Sequence, residues 1–588
     1  MAEEVWMLQT KKADFKQIGA RFRIDPVTAR IIRNRGIEGE AAIDRYLNGT
    51  LDDLYDPMLL KDMERAVSIL CEAVDTGKKI RIVGDYDIDG VCSTYILLQA
   101  FERLGSDVDF EIPDRIKDGY GINESIIEQA HADGVEVILT CDNGISAFHQ
   151  VELAKKYGMT VVITDHHEVP FEEEEDGKNY LLPPADAVID PKQPGCEYPF
   201  KGLCGAAIAY KLVEALWEAT GGDAEDLDYL IENVAIATVG DVMELEDENR
   251  IFVKEGLQML KRTHSPGLRS LIACTGVDKD RIGAYHIGFV LGPCMNASGR
   301  LDTAKRTLDL LRAKAGKEAD ILAGDLKALN DSRKEMTDIA VEQARQIVDT
   351  TKAGQDRVLV LYLPGCHESL AGIGAGRIRE RYYRPAIILT DAEEGIKGSG
   401  RSIEAYNMYE ELSRCKDLLT KFGGHKLAAG MSLAKENIEE LRRTLNDNCR
   451  LEPKDMAEKV VIDMELPFSC VTEELVEELT LLEPFGKGNT KPVFAARNVE
   501  LISGRILGKN RNVLKLQVKD SSQTAMEAVC FRGAEQMLSL LEERYGKEAV
   551  DLLMKGRGSQ MKLSVTYYPD MNEYMGKRTV QIVITHYQ

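Results

Sequence analysis

The chain has 588 residues, 98 of them acidic and 74 basic, for a net charge of −24 and a hydrophobic fraction of 44%. That length calls for several domains of roughly 100–200 residues, and the apolar fraction is ample for full cores. The acidic balance argues against a protein coated in nucleic acid, though it leaves room for a local basic groove. No apolar run reaches the roughly 18–20 residues of a membrane span. Met1 to Thr10 contains Glu3 and Glu4 and no apolar core, so no signal peptide is expected. The twelve cysteines form no C-x-x-C pair. That pattern predicts reduced thiols in a cytoplasmic protein and argues against a zinc ribbon.

Residues 1–75 predict a helical preface. Apolar residues recur at helical spacing over Phe15–Ile32, Ala41–Tyr46 and Asp62–Ala73, with no cluster of reactive side chains among them. Lys79–Val83 predicts a short buried strand and Val91–Phe101 a helix. Between them Gly84-Asp85-Tyr86-Asp87-Ile88-Asp89-Gly90 crowds three carboxylates into one turn. Ionised carboxylates so close repel, and a cation is what relieves them.

The alternation continues. Asp107–Ile112 reads as a strand, Glu124–His131 as a helix and Val135–Thr140 as a strand ending at Cys141-Asp142-Asn143-Gly144. Ser146–Tyr157 reads as a helix, and Met159–Thr164 as a strand ending at Asp165-His166-His167. Such a run predicts an α/β lobe with a parallel, doubly wound sheet. Asp87, Asp89, Asp142, Asp165 and His166 then share one edge, the carboxyl ends of the strands, where such sheets bind ligands. Asp241 follows the apolar stretch Val234–Gly240 and adds another acid. Carboxylates with imidazole suit Mn²⁺ better than Ca²⁺, with Mg²⁺ as the alternative. Two ions sharing one carboxylate would neutralise this many charges, and two ions about 4 Å apart can clamp a phosphoryl group.

Beyond the sheet, Glu172 to Asp176 predicts a solvated acidic loop, and Cys204–Ala219 a core helix. Leu301–Asp349 predicts long helices that link two lobes and leave a cleft between them. Arg357–Tyr362 begins a second α/β unit. Its Gly372-Ile373-Gly374-Ala375-Gly376 run lacks dinucleotide-binding spacing, and Arg377–Arg384 is basic. Arg401 and His425 stand in stretches predicted to be glycine-rich loops, where backbone and side-chain donors can reach a phosphate. From about Val460 short period-two strands predict a small barrel. Residues 491–588 hold fifteen basic against ten acidic residues. With Phe531, Tyr567 and Tyr568 for stacking, that tail predicts an OB-fold gripping single strands.

Four motifs occur in order: Asp85-Tyr86-Asp87-Ile88-Asp89-Gly90, Asp142-Asn143-Gly144, Asp165-His166-His167 and Gly240-Asp241-Val242-Met243. They resemble the motifs of the DHH phosphoesterase superfamily. Gly423-Gly424-His425-Lys426-Leu427-Ala428-Ala429-Gly430 resembles the motif of the associated DHHA1 domain. Asn296-Ala297-Ser298-Gly299-Arg300 and Gly398-Ser399-Gly400-Arg401-Ser402 lie between. The set is similar to the branch of single-strand-specific 5′→3′ DNA exonucleases, over roughly residues 55–588.

The resemblance implies a preface over 1–75, a DHH catalytic domain over 76–305, a helical linker over 306–352, a DHHA1 domain over 353–455 and an OB-fold β-barrel over 456–588. It implies that Asp87 and Asp142 hold one Mn²⁺ and that Asp89, Asp142, His166 and Asp241 hold a second. Asp85 is implied as a supporting acid. Val83 stands where one branch of the superfamily has a histidine. The first ion would therefore take a further ligand from Asp165 or the substrate. His167 is implied as the phosphate ligand or general acid, with Asp142 and Asp165 also catalytic. Arg300, Ser399, Arg401, Gly423, Gly424 and His425 are implied as substrate-binding. The expected activity is two-metal hydrolysis of single-stranded DNA from the 5′ end, releasing mononucleotides, in repair and recombination. Expected partners are single-stranded DNA, a single-strand-binding protein and a helicase, with no membrane and a monomeric chain. The alternatives are a phosphodiesterase for short oligoribonucleotides or cyclic dinucleotides, and a non-enzymatic nucleic-acid scaffold.

Overall fold

The structure is a computed structural model that describes residues 4–174, 177–392, 395–508, 512–531, 533–557, 561–574 and 576–588. Its contacts divide the chain into two compact units, residues 51–458 and residues 4–50 with 459–588.

The first unit contains two α/β lobes. In the first lobe the strands are β1 (Ile80–Val83), β2 (Val108–Glu111), β3 (Val137–Cys141), β4 (Thr160–Thr164) and β5 (Ala187–Ile189). They form one all-parallel sheet of order β2-β1-β3-β4-β5. Their short apolar runs face cores on both sides, as parallel strands covered by helices must. Ile82, Leu139 and Val162 enter one core, which contains helices α1 (Ile88–Arg103) and α2 (Gly205–Ala219). Val83, Ile138 and Ile163 enter the other, which contains the helices of residues 124–132 and 148–156. Helices α3 (Ile231–Gly240) and α4 (Gly292–Leu301) complete the lobe.

The run predicted as an acidic loop differs from expectation. Phe171–Glu174 and Gly177–Tyr180 pair as an exposed antiparallel hairpin, while Glu175 and Asp176 lie outside the described residues. Glutamates can occupy this strand because both of its faces are in water.

Helix α5 (Gly316–Thr350) joins the lobes. Ala323 and Leu326 in its first half lie in the first lobe's core, and Ala340, Ala344 and Val348 in its second half lie in a core of the second lobe. One 35-residue helix therefore anchors to both. The second lobe has strands β6 (Leu359–Tyr362), β7 (Ala386–Asp391), β8 (Ile396–Arg401), β9 (Lys421–His425) and β10 (Ala428–Leu433), in the order β9-β10-β8-β7-β6. Only β6 and β7 run parallel. Helix α6 (Ala371–Tyr382) packs on this sheet through its glycines. A methyl group on Gly374 would lie 2.8 Å from Ile388 Cδ1.

The second unit is built on β11 (Phe494–Leu507), β12 (Val513–Lys519), β13 (Ala525–Cys530), β14 (Lys562–Tyr574) and β15 (Lys577–Tyr587). Their order is β11-β12-β13-β15-β14, and β14 pairs back onto β11, which closes a five-stranded barrel. Alternate residues such as Leu514, Leu516 and Val518 fill its interior. Residues 4–50 belong to this unit. Ile31, Ile32, Ile43 and Tyr46 share the barrel's core, and Arg35 pairs with buried Asp463 at 2.9 Å.

One expectation about the barrel is corrected. Tyr567 cannot stack on a base, because it is fully buried with its hydroxyl donating to the Leu466 carbonyl at 2.6 Å. Period-two alternation turned it inward, toward Phe468 and Phe494. Phe531 is exposed, and Tyr568 lies under the Lys491 ammonium at 4.1 Å. No helix among the described residues is long and apolar enough to cross a membrane.

Candidate metal centre and anion pocket

The carboxyl edge of the first sheet gathers the acids. Asp87 caps α1, its Oδ1 accepting from the Asp89 and Gly90 amides at 3.0 and 3.1 Å. Gly90 has no alternative there, since a Cβ would lie 2.5 Å from the Asp85 carbonyl oxygen. Asp89 is buried and accepts from the Gly205 and Ala206 amides, both at 2.7 Å. These are orphan donors at the N-terminus of α2, where the helix dipole favours negative charge. Asp142 ends β3 in a left-handed conformation, φ 62°. Gly205 lies so close behind it that a methyl group would come within 2.7 Å of Asp142 Cβ.

His166 Nε2 stands among three carboxylates, 3.1 Å from Asp142 Oδ1, 3.6 Å from Asp89 Oδ2 and 3.9 Å from Asp241 Oδ2. Burial, then the neighbouring His167 charge, pushes the His166 pKa down to about 4, so the ring is neutral at pH 7. Burial first, and neighbouring carboxylates second, pushes Asp89 and Asp241 up to about 7 and raises Asp85 and Asp142 well above the carboxylate range. Asp85 Oδ2, Asp142 Oδ1 and His166 Nδ1 are buried without a hydrogen-bond partner.

Among the described residues, ligand atoms fall into three groups, each within 4.8 Å: Asp85, Asp87 and Asp142; Asp89, His166 and Asp241; and Asp142, His166 and His167. A buried set of anionic oxygens and one neutral imidazole, with acceptors unsatisfied, fits divalent cations and little else. Asp85 stands in the cluster itself rather than behind it.

Asp165 is different. Its Oδ1 accepts from the His166 and His167 amides and meets His167 Nδ1 at 2.7 Å, while Oδ2 accepts from the Ile145 amide at 2.9 Å. Burial opposes its ionisation, but these bonds and the two histidines hold it below the usual carboxylate range. With both oxygens engaged, Asp165 is in none of the three groups. It orients His167, whose pKa rises to about 9 against the effect of burial, because of the Asp165 carboxylate. The Tyr120 hydroxyl donates to the Asp142 carbonyl at 2.6 Å and lies 3.2 Å from His167 Nδ1. Tyr120 carried no recognisable signal in the sequence.

Beside this centre a cavity of about 440 Å³ opens between the two lobes, lined by Arg115, Arg300, Lys397, Ser399 and Arg401 among others. Its one lining acid, Glu368, is paired with Lys397 at 2.8 Å. Burial, then Arg115, lowers both other arginines, Arg300 to about 10. Arg300 donates to the Ser369 carbonyl at 3.0 Å, and Arg115 lies over the Tyr86 ring at 4.7 Å. Guanidinium groups crowded without carboxylates call for a multiply charged anion.

Lys397, Ser399 and Arg401 alternate along β8 and share one face. The stretches predicted as glycine-rich loops are therefore strands. The glycines serve close packing: a methyl group on Gly372 of α6 would lie 2.9 Å from Arg401 Nη2. Arg401 pairs with Ala428 and Ala428 with His425, which places His425 two strands away on the same face. Gly423, Gly424 and His425 form the exposed edge and do not line the cavity. Lys397 was detectable by its spacing from Arg401. Arg115, in the loop after β2, was not.

Three family descriptions match the chain: "DHH family, N-terminal domain" over residues 79–238, "DHHA1 domain" over 355–451 and "RecJ OB domain" over 462–586. The single-stranded-DNA-specific exonuclease RecJ of Bacillus subtilis (strain 168) is 35% identical over 584 residues, covering 98% of this chain and 70% of its own length. The protein of the same name from Dickeya dadantii (strain 3937) is 34% identical, covering 95% of each. The crystal structure of RecJ in complex with Mn²⁺ from Thermus thermophilus superposes with a TM-score of 0.82 at 25% identity, over 99% of this chain and 79% of that one. The likeness thus runs along almost the whole sequence, through both lobes and the barrel, and the chain belongs to the RecJ family.

Proposed function

We propose that this chain is a metal-dependent exonuclease that hydrolyses single-stranded DNA from its 5′ end, one nucleotide at a time. The observation that carries the reading is the pairing of a buried carboxylate–imidazole cluster with an adjacent, almost acid-free cationic cavity. When bound, two divalent ions, Mn²⁺ in preference to Mg²⁺, supply water activation and neutralise charge on the scissile phosphate. Asp85, Asp87 and Asp142 would hold one and Asp89, Asp142, His166 and Asp241 the other. His166, neutral at pH 7 and with Nε2 among those carboxylates, would be available as a ligand without first losing a proton.

His167, held by Asp165 through Nδ1, is protonated near pH 7. It donates to the phosphate or returns a proton to the leaving oxygen. Arg115, Arg300, Ser399 and Arg401 grip the 5′-terminal phosphate, which exists only at one end of a strand. With the end held there, the next phosphodiester falls at the acids, so cleavage proceeds by single nucleotides. His425 and the Gly423–Gly424 edge contribute a secondary, longer-range contact. In this reading the enzyme works as a cytoplasmic monomer in repair and recombination, on strands exposed by a helicase and a single-strand-binding protein. The barrel adds its own grip on the strand.

The test is digestion of single-stranded DNA and RNA, labelled at either end, with Mn²⁺. The expected first product is the labelled 5′ mononucleotide from DNA, faster from 5′-phosphorylated than from 5′-hydroxyl strands. Early release of the 3′ label, or internal cuts, would overturn the polarity and the anchor.

A further inference from the structure

The cationic cavity is longer than the end of a monophosphorylated strand requires. Lys397, Ser399 and Arg401 stand at alternate positions on one face of β8, and all three line it. At about 3.4 Å per residue, Lys397 is roughly 13 Å along the strand from Arg401. The arginine end is the one beside the metal centre. There Arg115 lies over the Tyr86 ring at 4.7 Å, and the Asp87 carboxylate acts on Arg300. Lys397 marks the other end of the row, out of reach of a phosphate held by the three arginines. The cavity volume of about 440 Å³ is that of a small-molecule pocket rather than of a single oxyanion.

The charge is in excess as well. Arg115, Arg300 and Arg401 form no ion pair among the described residues, and the one lining acid, Glu368, is committed to Lys397 at 2.8 Å. A terminal phosphate monoester carries at most about −2, less than the three guanidinium groups supply. Gly372 and Ile373, in the first turn of α6, also line the cavity, so the positive end of that helix faces it. The Lys397–Glu368 pair is the adjustable part. Its side chains are 44% and 20% exposed, and an ion pair so open to water is weak and easily exchanged.

We propose that the cavity admits 5′ ends that carry a di- or triphosphate, with Lys397 as the residue that receives the outer phosphates. The inference rests on the reading of Arg115, Arg300, Ser399 and Arg401 as the anchor of the terminal nucleotide. The phosphate attached to the sugar occupies that anchor, and the phosphoanhydride chain runs along β8 past Ser399. Lys397 exchanges Glu368 for the outermost phosphate, and Glu368 turns to water. The bond cleaved is the same as for a monophosphorylated end. Water attacks the phosphorus of the first phosphodiester, the bond to O3′ breaks, and O3′ takes up a proton. The products are a nucleoside 5′-di- or triphosphate and a shortened strand with a 5′-monophosphate. Polymerisation that starts a strand de novo supplies such ends, because the first nucleotide keeps its triphosphate.

The test compares single-stranded DNA of one sequence, labelled at the 3′ end and bearing a 5′-monophosphate or a 5′-triphosphate, on the full-length protein. Affinity is measured by fluorescence anisotropy without metal. In excess Mn²⁺, kcat/KM is measured and the released nucleotide is resolved by chromatography. Wild type should bind the triphosphate end about tenfold more tightly than the monophosphate end and release a nucleoside triphosphate first. Lys397→Ala should abolish that ratio. Glu368→Gln frees Lys397 without removing it and should widen the ratio, a direction that loss of folded protein cannot produce. Each ratio is taken within one variant. Equal affinity of wild type for the two ends, or a ratio that Lys397→Ala keeps, would overturn the proposal. Inorganic triphosphate, added as competitor, should displace the triphosphorylated strand only in large excess, because it lacks the nucleotide chain. Displacement at equal concentration would assign the cavity to a free polyphosphate and overturn the strand-end assignment. Failure of wild type to cleave the monophosphorylated strand in Mn²⁺ would overturn the nuclease reading, while the metal-free ratio still decides what the cavity binds.

Discussion

Asp142 reaches its place in a left-handed backbone conformation, pressed against Gly205, with one carboxylate oxygen unsatisfied. That combination is costly in the free protein and is repaid by a cation. Asp142→Asn keeps the shape and removes the charge that both ions would share. Its activity should fall at least about 100-fold. In the absence of metal its melting temperature should equal or exceed that of wild type, because the repulsion is relieved. Near-wild-type turnover by the folded variant would take Asp142 out of the centre. The same acids give the metal-free protein a pH dependence. Asp89 and Asp241 titrate at about 7, against about 3.9 when unfolded. Between those values the folded chain binds more protons than the unfolded one, so these groups make stability fall as pH rises through that window. Cations compete with those protons, and above the window they bind without displacing any. Added Mn²⁺ should therefore raise the melting temperature more at about pH 8 than at about pH 5.5. An equal rise at both would show that these carboxylates are not the ligands.

Strand β8 illustrates how an element turns composition into a site. Its alternation aims Lys397, Ser399 and Arg401 into the cavity, while β10 separates it from the edge strand that carries His425. Arg401 can make two parallel charged hydrogen bonds to a phosphate, and His425 lies too far out to share them. Arg401→Ala should remove most of the preference for 5′-phosphorylated over 5′-hydroxyl strands, measured as the ratio of kcat/KM. His425→Ala should keep most of that preference and lower both values together. Loss of the ratio in His425→Ala alone would reverse the assignment. The strands of the first lobe were legible because their buried apolar runs are short and end at acids. Strands β8 and β9 were not, because glycine is unfavourable in strands. It is present here to let α6 and neighbouring strands approach closely.

At the scale of the molecule, the decisive feature is that residues 4–50 share a core with residues 459–588. A chain cut after residue 458 keeps the N-terminal helices without the barrel and exposes Ile31, Ile32 and Ile43. It should aggregate. The chain 51–458 retains both lobes and the cores that α5 joins. It should stay soluble, bind Mn²⁺ and hydrolyse very short oligonucleotides, while losing affinity for long strands. The lost barrel contacts should also flatten the salt dependence of binding, which is measurable by titration at several ionic strengths. Several of the barrel's basic residues pair with acids, as Lys515 with Glu527 at 2.7 Å and Arg497 with Glu465 at 2.6 Å. That local pairing limits how steep the slope can be. Equal affinity of 51–458 and the full chain for long strands would mean that the barrel has no part in gripping DNA.

The sequence by itself determined the acids and their order along the chain, because strand ends and tight turns are local. An apolar run of five residues and the carboxylate after it fix a position on a sheet edge without reference to anything distant. It also determined the parallel sheet of the first lobe and the barrel strands, through period-two patterning. Tertiary structure alone decided which distant surfaces meet. Arg115, Arg300 and Arg401 converge on one cavity although almost 300 residues separate the first from the last. Asp165 could be read as a ligand from its motif, and only the fold shows its oxygens occupied by four hydrogen bonds. Tyr567 could be read as a free ring, and only barrel closure turns it inward. The N-terminal helices carry ordinary amphipathic faces, and nothing local in them names the barrel as their partner. Periodicity fixes which side of an element is apolar, whereas the partner is chosen by fit and burial across the whole chain.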